Sequence, residues 1–183
     1  MLVNCVYMYS TLFNSSPSGE SKTTNFFQSS RADAEIQIRD IYYDKMPCDI
    51  TSTPFNPVVS ESFKLLSESF KINVSFHKVN VFVAGEILDL NHYYAEPLDS
   101  IDFIDRSSPK VVIRPDDDTL GFPGWINHDL HKTRIYYSRV ESKHWIKQPK
   151  AFGYQWIVSN EFRAEIEKQK LTNFNFFPAH GTE

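Results

Sequence analysis

The sequence predicts an α+β fold, a mixed or mainly antiparallel sheet carrying two short capped helices. One pattern, written twice, predicts it. Val58-Val59 is extended and apolar, Ser60 stands where it can cap a helix, and Phe63, Leu66 and Phe70 fall at i, i+3 and i+7. Val74 and Phe76 then alternate with Ser75 and His77, as in a half-buried strand. Near the C-terminus the order returns: Trp156-Ile157-Val158, the cap Ser159, Phe162 and Ile166 on the helical face, Phe174 and Phe176 on the strand. Ile41-Tyr42-Tyr43 precedes the first unit and Ile135-Tyr136-Tyr137 the second. An internal duplication of a strand–helix–strand unit is one explanation. Convergence is the other, because any helix packed between two strands needs a cap, an apolar stripe and alternating aromatics.

Taken in order, Leu2 to Phe13 is aromatic and β-branched enough for a first strand. Residues 14–25 gather Ser, Thr, Gly, Pro and Lys with little to bury, which predicts a flexible loop. Ala34 to Tyr43 reads as a strand, and Met46 to Asn56 as turns, since Pro47, Pro54 and Pro57 interrupt regular structure. A strand over Val74 to Val83 ends in a turn at Ala84-Gly85. Ser100 to Asp105 reads as a further strand with Ile101 and Phe103 on one face, and Lys110 to Arg114 as a short one. Gly124 to Lys132 is expected as one or two helical turns, Arg134 to Val140 as a strand, and Glu141 to Gly153 as a connection. The length suits one domain, residues 1–183, with sub-units at 34–83 and 134–179.

Fifteen Phe and nine Tyr supply a core and argue against disorder. A net charge of -4 disfavours direct binding to nucleic acid, which leaves a basic footprint, and suits a basic partner. Cys5 and Cys48 belong to no Cys-x-x-Cys pair and are expected as reduced structural thiols. The N-terminus lacks a basic segment, Asn4 interrupts its apolar run, and no stretch approaches the roughly 18 apolar residues that span a bilayer. A cytoplasmic protein with no membrane contact is the expectation.

No catalytic residue, metal ligand or cofactor site is predicted. His128 and His131 are spaced like helix-borne ligands, but the sequence places no third ligand beside them. The Asp116-Asp117-Asp118 run lacks the alternation and the glycine of a calcium loop. Asp99, Asp102 and Asp105 recur every third residue. They suggest either an acid–base set, as in a small hydrolase, or an exposed strand edge guarded by charge. Neither a Gly-x-Ser-x-Gly elbow nor a glycine-rich phosphate loop occurs. Lys143, His144, Lys147 and Lys150 surround Trp145 in one basic–aromatic cluster, read as a connecting loop.

Three segments together carry a resemblance: Pro57-Val-Val-Ser60 leading to Val74-Ser-Phe-His-Lys-Val79; His92-Tyr-Tyr-Ala95 leading to Ser100-Ile-Asp-Phe-Ile-Asp-Arg-Ser107; and Trp156-Ile-Val-Ser-Asn-Glu-Phe162 with Leu171-Thr-Asn-Phe-Asn-Phe-Phe-Pro178. Over about residues 55 to 180 the chain resembles immunity family eleven of the bacterial polymorphic toxin systems. The resemblance implies a small cytosolic protein that binds a cognate secreted toxin, a nuclease in many such systems, and blocks it by stoichiometric occlusion. It supplies no catalytic residues. The first fifty residues and the segment Pro115 to Trp125 match no pattern of the family, which makes them candidates for partner choice. The expected partner-binding residues are Asp116, Asp117, Asp118, Phe122 and Trp125, with Asp99, Asp102 and Asp105 as a second set. The alternatives are the small hydrolase with an Asp/His site and an interaction module without a toxin.

Overall fold

The computed structural model describes residues 2–9, 40–43, 46–51, 56–108, 111–114, 125–127, 133–149 and 156–182. The fold is α+β with mostly antiparallel pairing. The strands of the first half are β1 (Leu2–Tyr9), β2 (Asp40–Tyr43), β3 (Ile50–Thr51) and β4 (Val58–Ser60); helix α1 (Glu61–Ser69) leads to β5 (Val74–Val83) and β6 (Glu86–Pro97). There follow β7 (Val112–Arg114), β8 (Trp125–Asn127), β9 (Arg134–Tyr136), the single turn α2 (Tyr137–Val140) and β10 (Trp145–Lys147). The chain closes with β11 (Trp156–Ser159), α3 (Asn160–Lys168) and β12 (Asn175–Thr182).

Both longer helices begin and end by the same chemistry. Ser60 Oγ accepts from Phe63 N at 3.3 Å, and Ser159 Oγ from Phe162 N at 3.1 Å, each satisfying an amide that the helix cannot. At the far ends Lys71 and Lys170 take left-handed backbone, φ 53° and 57°. Ile72 N then donates to Ser67 O and Leu171 N to Ile166 O, the two closing as Schellman turns.

Two five-stranded sheets share one plan. The first runs β2-β5-β6-β4-β3 and the second β9-β12-β1-β11-β10. In each, the first pair is parallel and the remaining pairs antiparallel. The position held by β6 in the first sheet is held in the second by β1, from the opposite end of the chain. Residues β7 and β8 form a separate two-stranded ribbon.

The central core draws on both sheets and both helices: Val59, Phe63, Leu66 and Ala95 meet Trp145, Trp156, Val158, Phe162 and Ile166. The predicted helical faces therefore point inward. Phe63 stacks on Phe174 and meets Trp145 edge to face, with ring centroids 5.2 and 5.3 Å apart. Two further clusters lie elsewhere in the fold, one around Ile41, Val79, Val81 and Tyr94 and one around Phe103, Ile135, Ile146 and Ile157.

Several elements differ from expectation. Ser100 to Asp105 is not a strand; its bridges to the sheets, Ser100 to Lys147 and Ile104 to Ile135, are isolated ones. Trp125–Asn127 is extended rather than helical, because it pairs with Val112–Arg114. The strand at Arg134 stops at Tyr136 and turns helical, a third helix whose start has no side-chain cap. The connection from Glu141 contains β10, and the turn-rich Met46 to Asn56 contains β3. Cys48 is half-buried and unbridged, while the side chain of Cys5 and the loop at residues 14–25 lie outside the described residues.

Candidate interaction surface

The three recurring aspartates hold segments of the chain together. Asp99 accepts from Lys143 Nζ at 2.9 Å and from Asn73 Nδ2 at 3.1 Å. Asp102 accepts from Arg106 at 2.7 Å and from Gln148 Nε2 at 2.8 Å, while Gln148 Oε1 accepts from Phe103 N. Asp105 is 5% exposed; it accepts from the amide and hydroxyl of Ser107 and pairs with Arg134 at 3.1 Å. The backbone here divides its bonds, Ile101 N donating to Lys147 O of β10 and Asp105 N to Arg134 O of β9, while Phe103 N between them goes to the Gln148 side chain, so the alternation of Ile101 and Phe103 forms no continuous ladder. Lys143 holds the Asp99 carboxyl below its ordinary range, and Ser107 does the same for Asp105. Both shifts go in the same direction, whereas an acid–base pair needs two carboxyls pushed apart.

The basic–aromatic cluster is likewise engaged within the fold. Trp145 is fully buried in β10, not half-buried in a connecting loop. Lys147 pairs with Glu96 at 3.6 Å and Lys143 with Asp99. His144 Nδ1 lies 2.9 Å from the cap Ser159 Oγ, and its ring meets Phe70 edge to face. In the first half Asp49 stands in the matching place: it accepts from the cap Ser60 Oγ at 2.7 Å and from Thr172 N at 2.8 Å. Asp49 and the Cys48 backbone face the buried His92 of β6. Burial pushes that imidazole down, against the pull of both neighbours.

Asp116, Asp117, Asp118 and Phe122 lie outside the described residues, as do His128 and His131. The side chain of Trp125 does too, but its backbone starts β8 and pairs with Arg114. The acidic segment is thereby closed at both ends by the ladder Val112 to Asn127, Ile113 to Ile126 and Arg114 to Trp125. The described residues bring Asp99, Asp102 and Asp105 into one region through their shared contacts with residues 134–148.

The turn expected at Ala84-Gly85 is present, but the strand that follows it, beginning at Glu86, was not assigned from the sequence. Ala84 and Gly85 turn the hairpin with φ 51° and 89°, the left-handed pair that a tight two-residue hairpin turn requires. Just beyond the turn, Ile87 is 64% exposed, opposite Phe82 and between the exposed Glu86 and Asp89. The available signal was charge: from Val79 to Asp105 the sequence has no Lys or Arg.

No protein-family model matches the chain, and no curated protein matches it. Among the described residues no helix is long and apolar enough to cross a membrane, and no group of three His, Cys, Asp or Glu side chains could hold a metal ion.

Proposed function

We propose that the protein is an immunity protein that binds a cognate, basic toxin and neutralises it by stoichiometric occlusion. The resemblance of residues 55 to 180 supplies the class of function. The observation that carries the reading is the β7–β8 ribbon. Outside both five-stranded sheets, it fixes the two ends of the segment containing Asp116, Asp117, Asp118 and Phe122. Three adjacent carboxylates repel one another and favour a cationic cleft, and a ribbon that anchors their segment limits the ordering cost of binding. The proposed location is the cytoplasm, where the producing cell would meet the toxin.

The hydrolase reading has less support, because Asp99, Asp102 and Asp105 each bond to cations or donors of their own chain. The test is co-expression with the product of a neighbouring gene that encodes a large secreted protein. Survival of the host, with the two proteins co-purifying in equal amounts, supports the proposal. Survival without a stable complex, or turnover of toxin by catalytic amounts of this protein, refutes stoichiometric occlusion.

A further inference from the structure

We infer that the outer edge of β6 at the turn end of the β5–β6 hairpin is a docking arm for an extended, basic and apolar segment of a partner protein. The inference rests on the reading that the partner is basic, and it adds a contact distinct from the β7–β8 ribbon.

The geometry comes from the sheet order. Strand β6 is twelve residues long, but β4 pairs with it only at His92, Tyr93 and Tyr94. Along Glu86 to Asn91, no strand among the described residues pairs with its outer edge. Such an edge offers unpaired amides and carbonyls to another chain, and proteins commonly shield it with lysine or proline. Neither occurs from Glu86 to Asn91. A register shift between Val79 and Val81 disturbs the ladder opposite Asp89 to Asn91, so the regular docking edge is Glu86-Ile87-Leu88. Ile87, at 64% exposure, supplies the apolar contact.

Charge selects the occupant. The cation-free run from Val79 to Asp105 holds six acids. Glu96, Asp99, Asp102 and Asp105 receive Lys147, Lys143, Arg106 and Arg134 from other parts of the fold. Glu86 and Asp89 receive no cation among the described residues, and they flank Ile87. The complementary segment carries Lys or Arg on both sides of an apolar residue and adds as a short strand.

The probe is a synthetic peptide alternating lysine with valine, with a glutamate–valine peptide as control, titrated by NMR at low salt. The lysine peptide should shift the amides of Glu86 to Asn91 saturably, and the control should not. Glu86→Gln and Asp89→Asn should each weaken binding roughly 1.5- to 5-fold, with less effect at high salt. Ile87→Ser should weaken it as well, and all three variants should melt like the parent. A footprint elsewhere, or affinities unchanged in all three variants, overturns the inference. So does concentration-dependent dimerisation abolished by Ile87→Ser, which would make a second copy the occupant. If the peptide footprint holds while co-expression gives no protection, the arm stands and the immunity reading fails. If protection holds without the footprint, the arm fails and the immunity reading stands.

Discussion

Phe63 and Phe162 meet edge to face in the central core, ring centroids 5.7 Å apart and planes at 65°. Each is the residue whose amide its helix cap receives, Ser60 for one and Ser159 for the other. One contact thus ties both helix starts to the centre of the molecule.

Removing either ring opens a fully buried cavity, so Phe63→Ala and Phe162→Ala should each cost about 3–5 kcal/mol. Their double variant should cost less than the sum by about 0.5–1.5 kcal/mol, the share of the shared aromatic contact. Denaturant midpoints for the four proteins of the cycle check this. Strict additivity would show that the two rings stabilise the fold independently.

Acid should act in two stages. Burial lowers the His92 pKa below 6.5, so the folded state takes up its proton less readily than the unfolded chain. The stability from neutral His92 is complete above 6.5 and is lost as pH falls through 6.5 toward the folded value. Asp49, Asp99 and Asp105 are held below 3.8. For Asp49, the bonds from Ser60 and Thr172 win against burial, which acts the other way. Stability from these groups is present above 3.8 and disappears as pH falls below it. Melting temperature against pH should show both losses, and His92→Asn should flatten the first while leaving the second.

Changing Asp116, Asp117 and Asp118 together to Asn keeps size and polarity but removes charge. Association with the cognate toxin should slow markedly at low salt and much less at high salt, with folding intact. Stopped-flow association rates across a salt series are the measurement. Rates identical to the parent throughout would exclude this segment from the encounter.

The shared sheet plan predicts that the chain tolerates re-wiring. Leu2 and His180 are register partners in adjacent strands, so the start of β1 and the end of β12 lie near each other, at the place where Ala84-Gly85 joins β5 to β6 in the other sheet. A circular permutant with residues 183 and 1 linked and the chain opened between Ala84 and Gly85 should fold with one cooperative transition. A permutant opened inside β11 should not. Near-ultraviolet circular dichroism and thermal melts distinguish the outcomes; failure of both would show that the β5–β6 turn is indispensable.

What could be read from sequence was local. The caps Ser60 and Ser159, the stripes behind them, and the strands at Val58, Val74 and Trp156 depend on residues within a few positions of one another. What could not be read was partner choice across the chain. Ile101 and Phe103 alternate like strand residues, but Gln148 and Arg134, which claim the backbone and carboxylates there, come from some thirty or more positions away. Trp145-Ile146-Lys147 looks like part of a basic loop until β11 pairs with it. The open outer edge of β6 beside Ile87 follows from β4 ending its pairing at His92, a feature of register rather than of composition.

The place of β1 in the second sheet sets an order of events during synthesis. Cys5 pairs opposite Ser159 and Tyr9 opposite Asn175, so β1 is made some 150 residues before the strands it pairs with. The first sheet meets no such delay, since β2 to β6 emerge consecutively and can pair as they appear. Until β11 and β12 arrive, β1 is a strand with both edges open, the state in which chains associate with one another. Translation stalled before Trp156 would therefore leave a folded first half trailing an unpaired leading strand, and the demand for chaperones should be greatest at that moment.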